Sequence, residues 1–332
     1  MKKLKIGVIG CGGMMNHHMN GILKFDDVEI AAVADPRPER AEAMLARCGA
    51  KKKYPSHKEL FESEKKLDAV YIAVEPTAHD GIEETAIEMK LPFMVEKPMT
   101  VDLAQAKKIS DAVTKAGLVT SVGFQDRYLT LVDRMICELK DMQVGMVYGS
   151  WLGGVPGVWW WMDKKTCGGQ LVEQNIHLVD LLRYLFGEAE SVYAACGRGL
   201  IDKSEFSSEL PPYNTDDFST ALIKFKNGVI ANLMSGCFIR NGNPIRNGLT
   251  IIGRDKSIEY ELRANVCIYK SKSVEKYLWD ADQSVAHDRA FFDAVRAKDP
   301  TAVRSPYADS YKSLELAFAA NRSMETGEVV RL

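Results

Sequence analysis

Over the first 125 residues, short apolar runs rich in β-branched side chains alternate with stretches whose apolar positions recur at helical spacing. That alternation predicts βαβ units and a parallel sheet. Strands are expected at residues 5–9, 29–34, 69–74, 93–96 and 119–124, with a shorter one at 52–54, and helices at 37–48, 79–89 and 103–115. Beyond residue 145 the pattern changes to alternating strands joined by tight turns. Residues 219–225 and 229–235 flank Asn227-Gly228, which predicts a type I′ hairpin, and residues 249–252 and 257–262 repeat the arrangement around Gly253-Arg254-Asp255. The expected fold is therefore α/β: a parallel-sheet domain over 1–125, then an α/β domain over 126–332 with an open, mainly antiparallel sheet. Amphipathic helices over 287–295 and 307–326, interrupted at Asp299-Pro300 and Ser305-Pro306, are free to pack back on the first domain.

A length of 332 residues exceeds the roughly 250–300 at which one core stops growing, which supports two domains. With 46% hydrophobic residues, 27% charged and a net charge of −2, the chain lacks the basic excess that a nucleic-acid partner requires. No apolar run reaches membrane-spanning length, and the first apolar stretch is broken by Gly7, Gly10, Gly12 and Gly13, unlike a signal-peptide core. The seven cysteines are odd in number and never spaced C-x-x-C, so reduced thiols, no metal site and a cytoplasmic setting are expected.

The candidate chemistry starts at Gly10-Cys11-Gly12-Gly13, where the first strand must turn into a helix whose N-terminal amides can receive a pyrophosphate. Met14 belongs to the same turn, and Met15 fills the third position of the glycine pattern, where a larger side chain should crowd helix against strand. Asp35 closes the second strand at about the spacing of an acid that binds ribose hydroxyls, favouring NAD; Arg37, two residues on, keeps NADP open. Lys97 ends a later strand within Glu96-Lys97-Pro98, so the turn and the lysine should face one crevice. There an ammonium can donate to a hydroxyl or carbonyl oxygen, although a solvated strand-end lysine paired with Glu96 is the plainer alternative. Pro98 holds Lys97 extended and permits a cis bond.

A second constellation runs from Gly168-Gly169 to Asp180. In a single helix ending at Phe186 before Gly187, Glu173, His177 and Asp180 occupy i, i+4 and i+7 and share a face. A histidine beside a carboxylate is equipped to move a proton near neutral pH; a buried histidine merely satisfied by Glu173 is the competing reading. Trp159-Trp160-Trp161 precedes it, and such residues are usually core or interface, with Trp160 kept as a candidate for a sugar pocket.

Taken together, the glycine turn, Ala34-Asp35, Glu75-Pro76 with His79, Glu96-Lys97-Pro98, Val122-Gly123-Phe124, Gly168-Gly169 through His177 and Asp180, and Arg304-Ser305-Pro306-Tyr307 resemble the glucose-fructose oxidoreductase/inositol dehydrogenase (GFO/IDH/MocA) family. The resemblance spans the first strand to the last helices. It implies an N-terminal Rossmann domain, a tightly held nicotinamide cofactor and hydride transfer to or from a secondary carbinol of a sugar, inositol, polyol or derivative. Lys97 and His177 match the family's catalytic positions; Glu173 falls where many inositol-type members carry aspartate, and Asn175 where they carry glycine. On that basis His177 is expected as general base, Glu173 as its orienting partner and Lys97 as the donor to the developing alkoxide. The cofactor would be held by Gly10, Gly12, Gly13, Met14, Asp35, Arg37, Glu75, Pro76, His79, Glu96 and Lys97. Gln125, Arg127, Tyr128, Trp160 and Asp180 join Lys97 and His177 as expected substrate contacts. An exposed sheet face points to a homodimer or homotetramer. An NAD-assisted glycosidase or lyase using transient oxidation, and a non-catalytic sugar or dinucleotide sensor, stand as alternatives.

Overall fold

The computed structural model describes residues 2–202, 206, 209–240 and 245–332. The chain divides into two units, Met1–Tyr128 with Asp282–Tyr311, and Leu129–Ala281 with Lys312–Leu332.

In the first unit six strands, β1 (Leu4–Ile9), β2 (Val28–Ala34), β3 (Lys52–Tyr54), β4 (Ala69–Ile72), β5 (Phe93–Val95) and β6 (Thr120–Val122), form a parallel sheet in the order β3-β2-β1-β4-β5-β6. This is the doubly wound dinucleotide-binding order. Helices α1 (Gly13–Ile22), α2 (Pro38–Cys48), α3 (His57–Ser63), α4 (Ile82–Glu88) and α5 (Leu103–Ala116) alternate with the strands, as the apolar pattern predicts. Because every strand runs the same way, Gly10, Asp35, Lys97 and Gly123 all follow carboxyl ends at one edge of the sheet. Met15 does not obstruct this arrangement. Its side chain is fully buried in the core with Ile6, Val8, Met19 and Ile30, so the longer residue fills space between helix and sheet.

The second unit contributes α6 (Thr130–Leu139), β7 (Val144–Leu152), α7 (Lys164–Cys167), α8 (Gln170–Glu173), α9 (Ile176–Phe186), and the strands β8 (Ala189–Gly197), β9 (Phe218–Phe225), β10 (Ile230–Gly236), β11 (Gly248–Gly253), β12 (Lys256–Glu261), β13 (Asn265–Lys270) and β14 (Ser273–Leu278). With β15 (Val330–Arg331) these strands make a nine-stranded sheet, antiparallel except where β7 meets β10. The β9–β10 hairpin departs from the expected two-residue type I′ loop. The Gly228 N–H bonds the Phe225 carbonyl at 3.0 Å and Gly228 alone takes φ 92°, which makes Lys226 and Asn227 the centre of a longer turn ending in a glycine bulge. Asn227 is drawn out of the turn by its own bonds, donating to the Phe186 carbonyl at 2.9 Å and accepting from the Val229 N–H at 3.1 Å.

Two helices close the chain. α10 (Gln283–Ala297) belongs to the first unit and buries Phe291, Phe292 and Val295 in its core, while α11 (Tyr307–Thr326) begins in the first unit and continues in the second. Among the described residues no helix is long and apolar enough to cross a membrane.

Candidate active site

Gly10 has φ +86°, and a Cβ there would lie 2.4 Å from the Ala73 carbonyl oxygen, so only glycine lets β1 turn this tightly beside β4. Gly12 and Gly13 meet a different need. A Cβ on Gly13 would touch nothing within 4 Å, and one on Gly12 would meet only the Arg40 guanidinium at 3.6 Å. The first turn of α1 has no side-chain cap and no acidic residue. An open glycine surface leading to an uncapped helix N-terminus has the donors and the room that a pyrophosphate requires, so these residues fit a dinucleotide. Met14 is exposed at the rim of this turn.

Asp35 is buried and held by backbone. Its carboxylate accepts the Cys11 N–H at 2.9 Å and the Arg37 N–H at 2.9 Å, one on each oxygen, leaving lone pairs on both for further donors. The Arg37 side chain is half-exposed, with Nε 3.5 Å from Asp35. Glu75 is half-buried, and burial raises its pKa against the pull of Arg37 and Arg40. Pro76 is buried beside it in the chain.

Two of the expected cofactor contacts make internal hydrogen bonds. His79 is buried and turns its Nδ1 to Glu83 Oε1 at 2.5 Å, an i,i+4 pair at the start of α4. Glu96 is buried, and its carboxylate takes bonds from the Lys97 N–H at 3.0 Å, Gln125 Nε2 at 3.1 Å and His18 Nε2 at 2.8 Å. Gln125 is thereby an internal partner of Glu96. Arg127 and Tyr128, expected at the substrate, also have internal partners. Arg127 Nη1 is committed to Asp309 at 2.7 Å and to the Arg304 carbonyl at 2.6 Å, and the Tyr128 hydroxyl accepts the Arg304 N–H at 2.9 Å. Lys97 itself is half-buried at the end of β5, and its bond to Pro98 is cis.

In the second unit the expected single helix is broken. α8 stops at Glu173 and α9 starts at Ile176, because the Asn175 N–H bonds the Gln170 carbonyl at 2.8 Å, five residues back, and widens the turn. Distant bonds hold the break open: Asn175 Nδ2 donates to the Met234 carbonyl at 3.1 Å, and Gln170 Nε2 to the Asp216 carbonyl at 2.6 Å. The Gly168-Gly169 pair supplies two positive-φ residues for the bend into α8, and a Cβ on Gly168 would strike Val172 at 2.5 Å. His177 and Glu173 therefore stand on either side of an irregular turn, not on one α-helical face. Asp180 is buried in α9, accepting from Ser313 Oγ at 2.6 Å, and Arg183 Nη1 donates to the same hydroxyl at 2.9 Å. These bonds give Asp180, expected at the substrate, an internal partner in Ser313. Trp161 is fully buried, Trp159 exposed and Trp160 half-buried.

His177 is buried in the first turn of α9, and its ring stacks on Trp151 of β7 with centroids 5.8 Å apart and planes at 24°. Sequence reading missed Trp151, since an indole on a strand gives no local sign of a distant imidazole. It also missed His18, Tyr71 and Asp288. Their signal was available: His18 lies with Met15, Met19 and Ile22 on the buried stripe of α1, where a polar residue demands partners.

A parallel sheet ending in an open glycine turn with an acid at the next strand end defines a dinucleotide-binding protein, and comparison with known proteins refines that class. Residues 4–124 match the oxidoreductase family with an NAD-binding Rossmann fold, and residues 142–259 match the GFO/IDH/MocA C-terminal domain. The chain belongs to the GFO/IDH/MocA family and is an NAD-binding oxidoreductase. It is 24% identical to myo-inositol 2-dehydrogenase of Thermotoga maritima over 99% of this chain and 98% of that protein. It is 25% identical to scyllo-inositol 2-dehydrogenase (NAD(+)) of Bacillus subtilis over 99% of this chain and 96% of the relative. Among solved structures, levoglucosan dehydrogenase in complex with NADH and levoglucosan shares the fold with a TM-score of 0.87 at 20% identity, covering 99% of both chains.

Proposed function

We propose that this protein is an NAD-dependent dehydrogenase that oxidises a secondary carbinol of a cyclitol or sugar and reduces the corresponding ketone. The observation that carries the reading is the end-to-end likeness to two inositol 2-dehydrogenases; Lys97 and His177 are taken as the reacting groups on the motif resemblance of Glu96-Lys97-Pro98 and of Gly168-Gly169 through His177. The bound nicotinamide supplies the hydride acceptor. His177 takes the hydroxyl proton as general base, and stacking on Trp151 limits the orientations its ring can adopt. Glu173 supports the imidazolium formed in that step, and the Lys97 ammonium stabilises the alkoxide as charge develops on oxygen. Trp160 is retained as a wall for the apolar face of the ring.

We further propose a cytoplasmic homodimer or homotetramer. Seven free cysteines accord with a reducing setting. One face of the nine-stranded sheet exposes Met146, Tyr148, Leu222, Ile230, Met234 and Ile252. Strand register puts Ile230 and Ile252 beside Met146, which makes the apolar patch continuous. Light scattering at micromolar protein tests the assembly, and a monomer would overturn it.

The activity is tested by incubating the purified protein with NAD or NADP and a panel of inositols, sugars and sugar acids, following nicotinamide absorbance and product mass. Net NADH with a ketone product two mass units lighter is expected. Cleavage without net NADH would replace this reading with the glycosidase or lyase, and binding without turnover would replace it with a sensor.

A further inference from the structure

Beneath the carboxyl edge of the parallel sheet lies a cluster of four buried polar side chains from four elements. His18 of α1 is fully buried. Its Nδ1 lies 2.9 Å and 3.1 Å from the two carboxylate oxygens of Asp288 on α10, and its Nε2 lies 2.8 Å from Glu96 Oε1 at the end of β5. The Tyr71 hydroxyl of β4 donates to Asp288 Oδ1 at 2.6 Å. The same hydroxyl lies 2.8 Å from His18 Nδ1. A neutral imidazole has one N–H, so with both acids ionised it would turn a lone pair on one of these carboxylates, and only the imidazolium donates to both. Burial alone would push the His18 pKa down, but Asp288 and then Glu96 reverse this and raise it to about 10.

The fold makes room for this carboxylate. A Cβ on Gly123 would fall 2.6 Å from Glu96 Oε1 and 2.7 Å from Oε2, so β6 ends in glycine where Glu96 sits. Glu96 Oε2 in turn accepts the backbone N–H of Lys97 at 3.0 Å. A rigid path thus runs from α10 through His18 to the peptide group that carries Lys97.

We propose that His18 is a positioning residue for Lys97: clamped between Asp288 and Glu96, it fixes the Glu96 carboxylate and through it the backbone from which the Lys97 side chain projects. Its effect on turnover rests on the role given to Lys97 above, so the decisive measurement is one that needs no substrate. Lysines of the intact protein are reductively methylated with ¹³C-formaldehyde, and the Lys97 resonance is assigned by its loss in Lys97→Met. In His18→Gln the Lys97 methyl resonance should move while the other lysine resonances stay in place. Asp288→Asn touches His18 but not Glu96, so it should move the same resonance by a smaller amount, and it decides the matter if His18→Gln does not fold. A folded variant with an unmoved Lys97 resonance overturns the proposal, leaving His18 a packing residue only. With an inositol substrate, kcat should fall about ten- to a hundredfold with NAD affinity unchanged, the scale of a small misplacement of a reacting group. A moved resonance in a protein that oxidises no carbinol would overturn the proposed reaction and leave the clamp standing.

Discussion

The glycine turn of the first unit and the histidine-bearing turn of the second are made by opposite means. The first is a property of backbone: a left-handed Gly10, an open Gly13 and an Asp35 whose carboxylate receives two nearby N–H groups. The second depends on side chains that reach across the unit, with Asn175 bonding Met234, Gln170 bonding Asp216 and Asp180 bonding Ser313. A surface that binds the same ligand part in many relatives can be written locally in glycine and one acid. The turn that carries His177, the proposed proton-transfer group, draws on positions far apart in sequence.

If the two regions divide the work in this way, the largest effect comes from removing chemistry while leaving the cradle alone. Lys97→Met and His177→Ala should each lower turnover on the best substrate by about 10²- to 10⁴-fold, the usual cost of losing a general acid or base. NAD binding, followed by fluorescence titration, should hardly change. Wild-type rates in either variant, with cofactor bound, would break the proposed proton path.

The cradle is tested by two glycines a few residues apart. Gly10→Ala forces a Cβ into the left-handed region, at about 1–2 kcal/mol, and against the Ala73 carbonyl, so both thermal stability and NAD affinity should fall. Gly13→Ala meets no neighbour and gains about 0.5–1 kcal/mol of helix preference, so the protein should be as stable as wild type or more so. Its methyl group nevertheless enters the cradle, and NAD should bind more weakly. Unaltered binding by a folded Gly13→Ala would move the cofactor elsewhere.

Two buried histidines of the first unit are shifted in opposite directions. His18 is raised to about 10 by its carboxylates, whereas burial, followed by the charge of His18, lowers His287 to about 3. The signs differ accordingly. His18 binds its proton more tightly folded than unfolded, so its stabilisation is complete below about pH 6.5 and fades as pH rises towards 10. His287 must stay neutral when folded, so its cost is absent above about pH 6.5 and grows as pH falls towards 3. Thermal melts across pH should show His18→Gln flattening the alkaline limb and His287→Gln the acid limb. A His18→Gln melt profile parallel to wild type between pH 7 and 10 would count against the charged clamp.

Much of the first unit was legible because its signals are local: strand runs, the glycine turn and Asp35 all lie where the apolar pattern puts them. The place of Lys97 at a strand end was legible, but the internal hydrogen-bond partners of Glu96, Arg127 and His79 were not. Each is an ionisable group near an expected cleft, and nothing within a few residues tells whether its partner is a ligand or another buried side chain. Glu96 looks inward because His18 and Gln125 are there, and Arg127 because Arg304 and Asp309 are. The break before α9 was hidden for the same reason. Residues 170–186 read as one helix until Met234 offers Asn175 an acceptor.

The smallest expected effect concerns the choice between two cofactors, where one side chain is set against another. Asp35 is fixed by the Cys11 and Arg37 N–H groups, so it cannot turn away from a 2′-phosphate, and two negative groups would meet at the edge of the cradle. Arg37 is the counterweight: its side chain is half-exposed and its Nε is 3.5 Å from Asp35, a loose contact from which it can reach a phosphate. Wild type should therefore prefer NAD. Asp35→Ala should lower the NAD-to-NADP ratio of specificity constants about tenfold, equivalent to ~1.4 kcal/mol. Part of that change should come from weaker NAD binding, because the Cys11 N–H at the glycine turn loses its acceptor. Arg37→Ala added to Asp35→Ala should then remove the gain for NADP while leaving NAD where the single variant put it. A wild type that prefers NADP would show that Arg37 outweighs Asp35, and that a cradle written in backbone is still tuned by a side chain.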